Sequence, residues 1–242
     1  MRITASTDIG LRSEQNQDCY KAGRLGDDSY WIVLCDGMGG VTSGGEASYV
    51  CVSYLSQAFE DTLIDLASPA EVQRFMLDAV VKCNEILYNL SSEGEGRIMM
   101  GTTVVMACIR NSFAQIVHAG DSRAYHISKR NMNQLTVDHS VVQELLDSGK
   151  ITEQQAKSHP NKNIITRALG VDKKIVPDYN EIKLSKGDTL LLCTDGLTNM
   201  VEESEILSII RSSEFFESAD NLVKRAVELG GIDNVTAVVF EQ

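Results

Sequence analysis

At 242 residues and 43% hydrophobic content the chain can bury one sizeable core, and its three scattered prolines (Pro69, Pro160, Pro177) mark no linker, so a single domain over 1–242 is expected. A net charge of −12, from 22 Lys+Arg against 34 Asp+Glu, argues against a phosphate-backbone footprint and so against nucleic acid as a partner. The opening residues Met1-Arg2-Ile3-Thr4-Ala5-Ser6 carry no signal-peptide run, and no segment approaches the roughly 18 apolar residues of a membrane helix, so a cytoplasmic protein with no membrane partner is expected.

In chain order, strand patterns fall at 2–7 and 29–35. A helix follows from 46 to about 66, with Ala47, Val50, Cys51, Tyr54, Leu55 and Ala58 inward. A second begins after Pro69, where Val72, Phe75, Met76, Ala79, Val80, Cys83, Leu87 and Leu90 recur at three- and four-residue spacing. Strands are then expected at 102–109, 113–119 and 124–128, the first two joined by a tight hairpin at Arg110-Asn111-Ser112. The polar stretch 138–171 reads as a surface excursion, with one helix starting at Asp138-His139-Ser140 and another near 151–155 capped by Thr152. Strands at 179–184 and 189–193, helices at 203–211 and 218–229, and a last strand at 235–240 complete the chain. Helices and strands do not alternate one for one, which disfavours a doubly wound parallel sheet. Two stacked, mainly antiparallel sheets with helix pairs outside fit better, an α+β fold.

Four aspartate words stand out: Gln15-Asn16-Gln17-Asp18, Asp36-Gly37-Met38-Gly39-Gly40, Cys193-Thr194-Asp195-Gly196 and Ile232-Asp233-Asn234. Three lie where an apolar run ends or begins, which holds a carboxylate on the sheet yet leaves it open to a hard cation. Glycines after Asp36 let a main-chain oxygen join as ligand. Oxygen donors without soft ligands select Mg²⁺ or Mn²⁺, and two such ions can share a water and lower its pKa toward neutrality. The six cysteines form no Cys-x-x-Cys pair and read as small buried hydrophobes in a reducing compartment. Cys35 and Cys193 flank the presumed ligands, so oxidation there is expected to disturb the site.

Further words follow in order: Thr7-Asp8-Ile9-Gly10, Gly44 with Ala47-Ser48, Gly101-Thr102-Thr103, Gly120-Asp121-Ser122-Arg123-Ala124-Tyr125, Leu135-Thr136-Val137-Asp138-His139-Ser140, Thr166-Arg167-Ala168-Leu169-Gly170 and Asp233-Asn234-Val235-Thr236. Over nearly its full length the chain therefore resembles the metal-dependent serine/threonine protein phosphatases of type 2C, in their compact bacterial form. The resemblance implies a four-layer α-β-β-α sandwich with a centre of two Mn²⁺ or Mg²⁺ ions. Asp36 would bridge both ions, the Gly37 carbonyl would bind one, and Asp195 and Asp233 the other. Asp18 would act through metal-bound water, Asp121 with Asp195 would hold a third, weaker ion, and the 138–171 excursion would be the family's variable flap. The implied activity is hydrolysis of phosphoserine and phosphothreonine in proteins by a metal-bridged hydroxide. It would oppose a serine/threonine kinase, with phosphoproteins and a cognate kinase as its implied partners, and a monomer is expected.

Two departures touch the chemistry. The family's phosphate-binding arginine falls on Ser13 here, with Arg12 one residue earlier, so Arg12 is the candidate for that role. Where many bacterial members place a histidine after Asp-Gly-Met-Gly-Gly, this chain has Val41, which leaves His139 as the histidine best placed by motif to act as an acid. Together they motivate the alternative function, a pseudophosphatase that binds phosphoproteins without turnover.

Overall fold

The computed structural model describes residues 1–25, 29–40, 43–62, 68–92, 100–129 and 131–242. One antiparallel sheet is built from β1 (Arg2–Asp8), β7 (Arg123–Ile127), β8 (Met132–Gln134), β10 (Thr189–Cys193) and β11 (Val235–Glu241), in the order β1-β11-β10-β7-β8. The facing sheet holds β2 (Asp18–Leu25), β3 (Ser29–Gly39), β5 (Val104–Arg110), β6 (Phe113–Ala119) and β9 (Asp178–Lys183), with the short β4 (Met100–Thr102) on the end of β3. Helices α1 (Ser43–Thr62) and α2 (Pro69–Ser92) cover the second sheet. The short α5 (Asp195–Thr198), with α6 (Glu203–Ser212) and α7 (Ser218–Glu228), covers the first.

The two-residue side-chain period of a strand explains the layering. On β3, Trp31, Val33 and Cys35 face the α1–α2 pair, while Tyr30, Ile32 and Leu34 face the other sheet. On β10, Leu191 and Cys193 face helices, and Leu190 and Leu192 face inward between the sheets. Strands covered on both faces must be apolar throughout, which is why 29–35, 189–193 and 235–240 read so clearly. Each such side chain contributes roughly 1.5–3 kcal/mol on burial.

The hairpin at 110–112 forms as expected: Arg110 pairs with Phe113, and Asn111 and Ser112 both take positive φ, at 51° and 62°. Thr152 caps α4 (Glu153–Lys157) in a reciprocal capping box with Gln155. Elsewhere the expectation needs correction. The helix expected from Asp138 is α3 (Val141–Asp147), with Ser140 as its N-cap, so Asp138 and His139 stand before it. The strand expected over 102–109 breaks at Thr103 into β4 and β5. Helix α1 starts at Ser43 rather than 46 and its described part ends at Thr62; the expected end near 66 lies outside the described residues, as does Val41. Leu90, counted in the α2 stripe, is 38% exposed. Strands β2 and β8 had no expectation: β2 is a half-buried edge strand and β8 has three residues.

An aromatic stack anchors the α1 layer. Phe59 lies parallel to Trp31 at 5.6 Å, with Phe75 edge-on at 5.5 Å, and Phe59 is fully buried. Replacing Phe59 by Ala is expected to cost about 3–5 kcal/mol, read as a lower urea midpoint at unchanged slope.

Candidate metal centre

Strand register alone brings the aspartates to one end of the sandwich. Asp18 opens β2 and stands directly opposite Asp36 across the β2–β3 pair. Asp36 occupies the point where β3 passes from pairing with β5, last at Leu34, to pairing with β4, first at Gly37. In the facing sheet β11, β10 and β7 are neighbours. Asp233 lies two residues before β11, Asp195 two after β10 and Asp121 two before β7, so the three sit along one edge. All five aspartates of the expected site are thereby gathered, four of them half-buried and Asp233 exposed at the mouth.

Hydroxyl and amide side chains hold the Asp18 carboxylate, the Asp36 backbone and the Asp195 carboxylate in place. Both Thr194, at 2.9 Å, and Thr236, at 2.6 Å, donate to Asp18 Oδ2, tying the two sheets together at the site. The Thr103 hydroxyl accepts from the Asp36 N–H at 3.0 Å, while the Thr103 N–H and the Thr102 hydroxyl donate to the Asp36 carbonyl. Asn234 accepts from Gln17 N–H and donates to the carbonyls of Ile9 and Gln15, pinning the β1–β2 loop to the start of β11. Asn199 donates to Asp195 Oδ2 at 2.9 Å. Gly37 packs against the Gly44 carbonyl and the Gln17 carbonyl so closely that a Cβ would not fit.

What remains unbalanced is charge. Asp18 Oδ1 is buried and has no hydrogen-bond partner, although its neighbours are carboxylates. No ion pair among the described residues includes Asp18, Asp36, Asp121, Asp195 or Asp233. Burial, then the charges of Asp18, Asp195, Asp121 and Asp233, lift the Asp36 carboxyl well above its ordinary range. Burial likewise pushes Asp18 up to about 7, opposed by its two threonine hydroxyls, and Asp121 to about 7. Burial and the charge of Asp233 raise Asp195 to about 6. An orphaned oxygen inside an all-oxygen, uncompensated anionic cluster fits a hard divalent cation.

Arg123, beside the cluster, is committed. Arg123 forks onto Asp138, at 2.6–3.1 Å, and donates to the Tyr125 hydroxyl at 3.0 Å. Arg12 lies in the exposed turn after Gly10, with no hydrogen bond or ion pair among the described residues. The turn is a loop, where a shift of one residue need not reverse a side chain.

Among the described residues the most compact set of metal-ligating side chains is a different one, His118, His139 and Asp178. Much of it is committed to hydrogen bonds, with His118 Nδ1 buried and without a partner. His139 is 7% exposed, and its Nδ1 accepts from the Gly120 N–H at 3.0 Å, so the proton of the neutral ring sits on Nε2, which lies 3.2 Å from Asp178 Oδ2 and 2.8 Å from Arg167 Nη1. Asp178 also takes Arg167 Nη1 at 2.7 Å, so the cationic place is filled, and His118 donates from Nε2 to the Val137 carbonyl while its ring stacks on His139. Burial lowers the pKa of both rings, leaving them neutral near pH 7. The cysteines beside the site are inert: Cys35 and Cys193 are fully buried, and burial pushes the Cys193 thiol up to about 12.

A family model described as Protein phosphatase 2C matches residues 11–228. The chain is 38% identical over 244 residues to the serine/threonine phosphatase stp of Listeria monocytogenes serotype 4b (strain F2365), covering 100% of this chain and 96% of that protein. It superposes on a solved S. agalactiae serine/threonine phosphatase with a TM-score of 0.93 at 34% identity, covering 100% of this chain and 99% of that one. On the catalytic domain of the serine threonine protein phosphatase PstP in complex with two manganese ions, the TM-score is 0.85 at 32% identity, covering 98% and 96%.

The raised carboxyls fix the sign of a pH effect in the metal-free protein. Between the ordinary carboxylate range and about 7 the folded state binds more protons than the unfolded one, so stability falls as pH rises through 6–7. Melting in chelator is expected to give a lower Tm at pH 8 than at pH 5.5, and saturating Mn²⁺ is expected to remove most of that difference.

Proposed function

The chain belongs to the protein phosphatase 2C family, metal-dependent serine/threonine protein phosphatases, and from that premise we propose that it hydrolyses phosphoserine and phosphothreonine at the aspartate cluster, opposing a serine/threonine kinase. The observation that carries this reading is the buried, unpartnered Asp18 Oδ1 directly across from Asp36, a place that a divalent cation stabilises. Asp36 would be shared by two Mn²⁺ or Mg²⁺ ions, with the Gly37 carbonyl on one side and Asp195 and Asp233 on the other, and Asp121 would serve a third, weaker ion. The manganese in the PstP relative supports that choice of metal. When bound, such ions supply a water activated near neutral pH and offset charge on the phosphoryl oxygens.

The chain's own residues do the rest. Asp18, its Oδ2 occupied by Thr194 and Thr236, turns Oδ1 toward the cluster and orients water there. Arg12, exposed in the turn after Gly10, grips the phosphate. His139 is buried and neutral, so water rather than this ring protonates the leaving oxygen. The 138–171 excursion acts as a flap of the single catalytic domain. The protein acts in the cytoplasm as a monomer, with phosphoproteins and a cognate kinase among its partners.

Mn²⁺-dependent phosphate release from a phosphothreonine peptide tests the reading. Asp36→Asn and Asp195→Asn are each expected to lower kcat by about 100-fold or more. Peptide binding with no turnover in Mn²⁺ or Mg²⁺ would identify a binding module instead. For Arg12, a charge-assisted hydrogen bond of about 1.5–3 kcal/mol predicts that Arg12→Ala raises KM by roughly ten- to a hundredfold; an unchanged KM discards the role.

A further inference from the structure

We propose that Asp138 and His139 are positioning residues for the Asp121 carboxylate, gripping the chain on either side of it. The inference rests on the reading of Asp121 as a ligand of the weaker ion. Residues 120–122 connect β6 to β7, which begins at Arg123, and Gly120, Ser122 and Arg123 are each held by groups outside the turn. Gly120 adopts φ +116°, and a Cβ there would collide with the Thr103 side chain. Its N–H donates to His139 Nδ1 at 3.0 Å and its carbonyl accepts from the His139 N–H at 3.0 Å, a two-point grip. Ser122 shares a 2.7 Å hydrogen bond with the Thr103 hydroxyl, the same oxygen that holds the Asp36 N–H. Arg123 is forked by Asp138, which Gln134 also supports at 3.0 Å.

Asp121 is thus the residue of the turn whose side chain is left for the cluster, where its charge acts on Asp36. Two consecutive residues, at the start of the excursion, fix its aim from both flanks. The His139 ring is held in turn. The Gly120 N–H requires an unprotonated Nδ1, which leaves the proton of the neutral ring on Nε2, 3.2 Å from Asp178 Oδ2; Arg167, whose Nη1 lies 2.8 Å from the same Nε2, donates to the Val176 carbonyl and to Asp178 Oδ1. Outer partners of this kind typically change metal affinity by 10–100-fold when removed.

The geometry separates two substitutions of one ring. An asparagine amide oxygen can stand where Nδ1 stands, whereas a glutamine amide reaches the place of Nε2. In Mn²⁺ titrations of the full chain by calorimetry, Asp121→Asn is expected to abolish the weak class of sites and leave the tight class. His139→Gln and Asp138→Asn are expected to weaken that weak class by 10–100-fold, and His139→Asn to preserve it. Amide exchange at Gly120 is expected to quicken in His139→Gln and stay slow in His139→Asn, with thermal melts confirming that each variant is folded. Loss of the weak class by Asp121→Asn alone, with His139→Gln and Asp138→Asn binding like the parent, overturns the proposal. Equal weakening by His139→Asn and His139→Gln also overturns it, since the Gly120 contact would not be what matters. A weak class that survives Asp121→Asn removes the ligand reading itself, and the positioning role falls with it.

Discussion

Everything at the working end of this molecule answers to one constraint, the crowding of carboxylates that the strand register imposes. Asp18 and Asp36 face each other across β2–β3, an arrangement of like charges that is unfavourable on any sheet. Asp195, Asp233 and Asp121 arrive from the opposite sheet and add to it. At an effective dielectric of 20, two unit charges 4 Å apart repel by about 4 kcal/mol, so such a set cannot remain ionised and unpaired without cost. The metal-free protein meets that cost by holding protons, as the raised carboxyls show. Cation binding and folding are therefore linked: what releases those protons also restores the stability they protected.

The architecture is what makes the crowding tolerable. Neighbouring strand ends set the spacing of the ligands, and the apolar layer between the sheets fixes the distance from one set of aspartates to the other. Cross-sheet hydrogen bonds from Thr194 and Thr236 to Asp18 satisfy one oxygen and leave the other aimed at the cluster. Asn234 does the corresponding work for the backbone, using its oxygen on Gln17 and its nitrogen on two carbonyls of the same loop. A site assembled from the ends of five strands is rigid because each strand is held along its length.

These physical terms also explain what could be read from sequence. The clustered aspartates were legible because an aspartate beside Trp31-Ile32-Val33-Leu34-Cys35 or Leu190-Leu191-Leu192-Cys193 interrupts a doubly covered strand, and the contrast is large. Strand β2 was not, because Lys21 and Arg24 lie on an exposed edge and dilute the alternation, so the opposition of Asp18 and Asp36 stayed hidden. Thr194, Thr236 and Thr103 were quoted in the motifs without a role; a hydroxyl next to a carboxylate has meaning only once the facing strand is known. The break at Thr103 is similar, since its β-branched neighbours look like continuous strand. The helix expected to start at Asp138-His139-Ser140 begins at Val141 with Ser140 as its cap, and that difference frees Asp138 and His139 to serve the turn before β7.

The grip on phosphate follows from where the positive charge is spent. Arg123 is bound to Asp138 and Arg167 to Asp178, so neither guanidinium is presented to a substrate. The chain as a whole carries −12, and its mouth is lined by carboxylates, so without cations a phosphate dianion meets repulsion on approach. Two divalent cations would offset four of the five aspartate charges gathered there. In the proposed reading, affinity for the phosphate is then carried mainly by the ions, which makes the displacement of the arginine from 13 to 12 tolerable. That shift would be far more damaging in a site that relied on side chains alone for its positive charge.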